Sequence, residues 1–157
     1  MAKTKIGGII QNTQLAAVRV SGIADRPGVA AAVLTALGQN GISAQFIVQC
    51  IDLANQDHIV VCVDRDRADL AYELVQGAAQ MLQARQVDLI REVSLISIFG
   101  PDFRERPGIA GAMFSALAQR GINIFAISTS ISTVSCVINR QDTETALEAI
   151  SDTFELP

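Results

Sequence analysis

Aromatic side chains are scarce in this chain, at 4% of its residues, so the interior has to be built from Ala, Val, Ile and Leu. Half of the residues are apolar, close to the usual ~45–50% of a globular domain. Yet no apolar run approaches the ~18 residues that span a bilayer, which excludes a membrane helix. Excess positive charge is missing as well. The formal net charge is −4 and the isoelectric point lies near 4.9, with no basic stripe of the kind that holds nucleic acid. Lys3 and Lys5 sit near the start, but no long apolar stretch follows them to make a signal peptide. Histidine occurs once. Any Ser-His-Asp or Cys-His set must therefore use His58, and no partner motif surrounds it. The phosphate loop, the dinucleotide fingerprint and H-E-x-x-H are all absent. Cys50, Cys62 and Cys136 never approach C-x-x-C spacing and lie inside apolar runs. They read as core-facing thiols on strands, which suggests a cytoplasmic protein. An enzyme in its own right is not what these residues describe.

What the chain does contain is one phrase twice. Arg26-Pro27-Gly28-Val29-Ala30 recurs 80 residues later as Arg106-Pro107-Gly108-Ile109-Ala110. The same offset relates Leu37 to Leu117, Gly41 to Gly121, Ile42 to Ile122 and Ile47 to Ile127. A repeat this long is two copies of a small domain; solenoid units run to about 20–50 residues.

The first copy reads β-α-β-β-α-β. Gln14–Val20 is a strand and Asp25-Arg26-Pro27-Gly28 a turn that opens a helix over Val29–Gln39, with Val29, Val33, Ala36 and Leu37 on one stripe. Asn40-Gly41 stops it, Gly41 suiting a left-handed position. Ile42–Leu53 is β-rich, Asn55-Gln56-Asp57 is turn material, and His58–Val63 is a strand. A long helix over Ala68–Arg85 is expected to turn Leu70, Leu74, Ala78, Met81 and Leu82 inward, and Val87–Val93 is a short edge strand. The second copy gives a strand at Leu95–Phe99, a turn at Pro101–Arg106 and a helix at Gly108–Gln119. Strands at Ile122–Ser130 and Val134–Ile138 follow, then a helix at Thr143–Phe154 facing inward with Ala146, Leu147, Ile150 and Phe154. It ends one strand short. The spare strand Ile6–Ile10 is expected to complete it, the alternative being a frayed terminus. The expected domains are 14–93 for the first module and 94–157 plus 5–12 for the second.

In both copies a strand runs into a turn and then a helix whose opening contains Pro-Gly. Glycine lets a ligand approach the backbone, and the unpaired amides of a helix start attract a carboxylate. Asp25 in one copy and Glu105 in the other stand ready to meet an ammonium. A carboxylate and an ammonium a few ångströms apart are what a free amino acid offers. The plainer reading is that Asp25 caps the helix and Gly28 only turns the chain. Asp64, Asp66, Asp69, Asp142 and Glu144 cluster at predicted turns and helix starts, where they suit the helix dipole without special chemistry.

The order of Asp25-Arg26-Pro27-Gly28-Val29-Ala30, Ile47-Val48-Gln49, Gly121-Ile122-Asn123-Ile124, Ile127-Ser128-Thr129-Ser130 and Val134–Ile138 resembles the tandem ACT domains of aspartate kinase, from about Ile6 to Leu156. The resemblance implies an α+β fold of two ferredoxin-like βαββαβ modules with antiparallel sheets, the second completed by the N-terminal strand. It implies a regulatory unit that binds threonine and/or lysine where modules of a homodimer meet, and so inhibits phosphorylation of aspartate. The catalytic domain or subunit, with its ATP and Mg, is a partner outside these residues. Carried over by motif, the effector site uses Asp25, Gly28, Val29, Ala30, Gln49, Asn123 and Ile124. A second, pseudo-equivalent pocket falls near Ser43, Glu105, Gly108 and Thr129. No metal, cofactor, nucleic acid or membrane is implied for this chain. Met1 suits both a separate β-subunit and a piece of a longer enzyme. Ser130-Ile131-Ser132-Thr133 departs from the charged pattern of many relatives and leaves the effector open. The alternative is an ACT-domain sensor of another biosynthetic enzyme, or a free-standing one.

Overall fold

The computed structural model of the chain describes residues 2–101 and 103–157; Met1, and Asp102 in the turn expected at Pro101–Arg106, lie outside the described residues. The chain divides into two compact units, Gln14–Glu92 and the residues up to Thr13 together with Val93–Pro157.

The Gln14–Glu92 unit takes most of strand β2 (Gly8–Ala24), then helix α1 (Val29–Gly38), β3 (Phe46–Ile51), β4 (Gln56–Asp64), a 3₁₀ turn at Arg65–Arg67, α2 (Ala68–Met81) and the first part of β5 (Gln86–Phe99). β4 is central. It pairs antiparallel with β2, Val18 opposite Val61, and with β3, Gln49 opposite Ile59. Val18, Val20, Ile59 and Val61 on that sheet face meet Val33 and Leu37 of α1 and Ala71 and Val75 of α2 in one aliphatic core.

Ala-rich α1 forms readily because Ala loses least on entering a helix. Its end is specified by glycine. Gly41 adopts φ 72°; its N–H donates to Gly38 O at 3.1 Å, and Ile42 N–H donates to Leu37 O at 3.1 Å. These are the two bonds of a Schellman stop, with buried Ile42 on the same turn as buried Leu37. The second copy repeats it at Gly121 and Ile122, bonded to Ala118 and Leu117.

The other unit contains the rest of β5, α3 (Ile109–Gln119), β6 (Ile124–Thr129), β7 (Thr133–Asn139), a 3₁₀ turn at Arg140–Asp142 and α4 (Thr143–Thr153). β7 pairs antiparallel with β5 and β6. The N-terminal residues belong to this unit: β1 (Thr4–Lys5) runs parallel to β8 (Phe154–Glu155), and Gly7 N–H donates to Phe99 O at 2.7 Å. Ile96, Ile98, Met113, Leu117, Cys136, Ile138 and Ile150 fill its core.

Several elements differ from their expected form. β2 runs unbroken from Gly8, so the spare strand at Ile6–Ile10 and the one at Gln14 are one, and β5 likewise fuses two expected strands. Polar residues interrupt a hydrophobic pattern without interrupting a backbone hydrogen-bond ladder. Helix α2 buries Ala68, Ala71, Val75 and Ala79, while Leu70 and Met81 are exposed. The inward stripe is made of small residues, and Leu74, Met81 and Leu82 line an open groove of about 710 Å³ against α1. Phe154 is buried, but from β8 and not from the helix. Cys62 and Cys136 are buried, and burial pushes each thiol up to about 12; Cys50 on β3 is exposed and not a core thiol.

Leu37 and Leu117 are the same position of the two copies, 1% and 0% exposed. Leu37→Ala and Leu117→Ala are each expected to cost about 2–5 kcal/mol, read as a fall in the denaturant midpoint. A loss under ~0.5 kcal/mol would mean that the site is not tightly packed.

Candidate functional site

The end of β2 delivers Asp25 to the start of α1. Its N–H donates to Asn55 O at 3.0 Å, tying the turn to the β3–β4 hairpin. Asp25 does not cap the helix. Gly28 holds the N-cap position at φ 98° with no side-chain hydrogen bond, and the helix begins after Pro27, at Val29. Ala32 N–H donates to Gly28 O at 2.9 Å as the first helical bond, so the amides of Val29, Ala30 and Ala31 precede it and point out of the helix start. A Cβ built on Gly28 would meet nothing within 4 Å. Space is thus not what asks for glycine here; the left-handed φ is.

Facing this turn is the end of the β3–β4 hairpin. Asp57 lies between Ile51 of β3 and Ile23 of β2, and strand alternation puts it on the same face as Ile59, Val61 and Val63. The register gives Gln49 that face too, because it stands opposite Ile59. A bulge between Val20 and Ile23 shifts the β2 register next to this point, which is how bulges re-aim side chains. Asp57 has no accessible surface, and neither of its carboxylate oxygens has a hydrogen-bond partner. Burial, and then the charge of Asp25, push its carboxyl above the ordinary 3.8, while Gln49 and His58 act the other way. Asp25, Gln49 and Asp57 therefore form one polar cluster beside the helix start. By composition alone Asp57 reads as part of a turn. The alternation Asp57, Ile59, Val61, Val63 was the signal that it belongs to the inner row.

His58 has a structural partner. Its Nε2 lies 2.8 Å from Asp52 Oδ2, and Gly22 N–H donates to Nδ1 at 3.4 Å. With Nδ1 accepting, the neutral ring carries its proton on Nε2 and donates it to Asp52. Asp52 Oδ1 also accepts from Ala54 N–H and Gln56 N–H. The pair closes the hairpin that presents Asp57.

In the other unit, Gly108 repeats the arrangement at φ 93°, and Ala112 N–H donates to Gly108 O at 2.9 Å. Glu105 and Gly108 line one groove of about 310 Å³ with Thr4, Arg106 and Phe154. Thr129, exposed at the end of β6, is not among its lining residues, and Ser43, also exposed, belongs to the Gln14–Glu92 unit. Asn123 is exposed just before β6 and Ile124 opens that strand opposite Ile138. The hydroxyl-rich departure is a closed turn: Ser130 Oγ lies 2.8 Å from Thr133 Oγ1 and accepts from Thr133 N–H at 3.2 Å. Among the described residues no group of His, Cys, Asp and Glu is placed to hold a metal, and no helix is long and apolar enough to cross a membrane.

The Asp52 pair has a signed pH dependence. The His58 hydrogen bond, first among the causes, holds Asp52 below the ordinary 3.8. A carboxyl lowered by folding adds stability above its unfolded value and loses it as pH falls through the lowered one. The difference in Tm between wild type and Asp52→Asn is therefore expected to be full above about pH 5 and to close on acidification below 3.8. A difference unchanged by acid would contradict this assignment.

A family model described as ACT domain matches residues 96–154. The chain is 35% identical over 156 residues to an aspartate kinase of Pseudomonas fluorescens, across 99% of its own length and 38% of that relative's. It superposes on the regulatory subunit of aspartate kinase from Thermus flavus with a TM-score of 0.87 at 28% identity, covering 97% of this chain and 100% of that one. Against the aspartate kinase of Synechocystis the TM-score is 0.91 at 31% identity, covering 99% of this chain and 28% of that one. The chain thus spans well under half of the full-length relatives it matches. By repeat, fold and these likenesses the chain is similar to the ACT-domain regulatory portion of aspartate kinases.

Proposed function

We propose that this chain senses a free end-product amino acid, threonine and/or lysine, and through it restrains the phosphorylation of aspartate by a catalytic domain or subunit that uses ATP and Mg. The observation that carries the reading is a helix start opened by left-handed Gly28 just after Asp25, with Asp25 and Gln49 both acting on the buried Asp57. The amides suit the ligand's carboxylate, and Asp25 suits its ammonium. The family resemblance adds a homodimer in which Asn123 and Ile124 of the second copy close the site, and a pseudo-equivalent pocket at Glu105, Gly108, Ser43 and Thr129. The chain itself is proposed to need no cofactor, and to act in the cytoplasm.

Regulation then follows from differential binding. An effector shifts a conformational balance only by the difference in its affinity for the two arrangements. Hydrogen bonds to the charged ends of an amino acid contribute about 1.5–3 kcal/mol each, enough to move such a balance severalfold or more.

Calorimetric titration with threonine and with lysine tests the proposal. One of them is expected to bind, and Asp25→Ala or Gln49→Ala to weaken it roughly tenfold to a hundredfold. Sedimentation is expected to show a dimer. Absence of heat with both amino acids, in a folded protein, would contradict the sensor reading.

A further inference from the structure

Helices α1 and α2 run antiparallel. Arg67, just before α2, donates to Asn40 O just after α1 at 3.0 Å, and Arg85 N–H, shortly after α2, donates to Ser21 O late in β2 at 2.9 Å. The groove of about 710 Å³ between the helices therefore has two distinct ends. Its walls carry half-buried Ala32, Ala36, Leu74 and Ala78, and Met81, which is 84% exposed. Arg26 stands at the end where α1 starts, and Glu73 lies toward the end where α1 stops. An exposed apolar surface rimmed by polar groups is a mark of association.

The second copy seals the same seam with charge. Its 3₁₀ turn and α4 repeat those of the first copy 75 residues later, which sets Glu148 at the position of Glu73 and Asp152 at that of Gly77. Ala71 and Ala146, and likewise Val75 and Ile150, are buried alike under this alignment. Arg120, after α3, reaches Glu148 at 3.6 Å and Asp152 at 2.8 Å across the helix pair. In the first copy the place of Arg120 is taken by Asn40. Among the described residues neither Glu73 nor Arg26 makes an ion pair. Glu73 thus faces an apolar groove without the cation that its counterpart has.

We propose that this groove docks against the same groove of a second copy of the chain, about a two-fold axis lying across the helices, so that Arg26 of each protomer meets the partner's Glu73. A two-fold contact needs a surface that complements itself. Opposite charges at opposite ends of one groove meet that condition, because the axis lays each end on the other end of its copy. Two grooves bearing one sign of charge would repel. Small side chains such as Ala32, Ala36 and Ala78 let helices of the two copies come close. The homodimer proposed above draws on Asn123 and Ile124, which this groove does not include. A chain that makes both contacts is a tetramer at high concentration and a dimer at low concentration.

The test is analytical sedimentation of the ligand-free chain from about 1 μM to about 1 mM. Wild type is expected to double its mass within that range, and less readily as salt is raised. Arg26→Glu and Glu73→Arg are each expected to raise the dissociation constant of the doubling at least about tenfold, since like charges then face each other. The double variant exchanges the signs of the pair and is expected to return close to wild type. The two single variants move the net charge in opposite directions, so a weakening common to both belongs to the pair. Glu144→Arg, exposed on α4 away from the groove, is expected to leave the doubling unchanged. Arg26 and Glu73 are exposed, so these variants are expected to melt with wild type. A mass indifferent to concentration, as when the groove serves a different protein, would overturn the inference. So would single reversals without effect, or a double variant no better than either. None of these outcomes decides the sensor reading, which rests on the titration with threonine and lysine.

Discussion

A glycine held left-handed immediately before a helix is the constraint on which the rest depends. At Gly28 and again at Gly108, with φ near 95°, the N-cap is a glycine and no side chain caps the helix. The first-turn amides are left at the positive end of the helix dipole. The rest of the candidate site lies around that helix start. β2 ends at Asp25, the hairpin brings Gln49 and Asp57 alongside, and the Asp52–His58 pair holds the hairpin closed. A capping Ser or Asp at residue 28 would satisfy one of those amides.

The two copies share this device and differ in what surrounds it. In the Gln14–Glu92 unit the helix start follows Asp25, whose charge acts on the buried Asp57. In the other unit the groove at Gly108 has Glu105 together with Arg106 and Thr4. A duplicated fold has thus kept its stops and helix starts while the polar lining diverged. The hydrophobic pattern that sets the fold leaves those few polar side chains unconstrained.

Much of the fold was legible because local chemistry and tertiary structure agree. The repeated Arg-Pro-Gly located both helix starts to within a residue. Gly41 and Gly121 located their ends, since the Schellman stop needs a left-handed residue that glycine supplies most easily. Asp25 and Gln49 were singled out by their motif, and both act on Asp57 in the structure. What was hidden depends on partners far along the chain. The length of β2 follows from its neighbours' hydrogen bonds and not from its own polar stretch. The buried stripe of α2 follows from how closely the helix approaches the sheet, which selects Ala68, Ala71 and Ala79 over the larger Leu70 and Met81. Asp57 was hidden because an Asn-Gln-Asp run has turn composition, whereas pairing on both sides draws its last residue into the central strand.

The central claim, that free peptide nitrogens at the start of α1 receive a small zwitterion, is tested most directly by backbone amide NMR during titration with threonine and with lysine. The account predicts that the resonances of Val29, Ala30 and Ala31 move strongly and saturably, together with the Gln49 side-chain amide. Saturable binding that leaves those three amides where they were, with the shifts elsewhere, would contradict it.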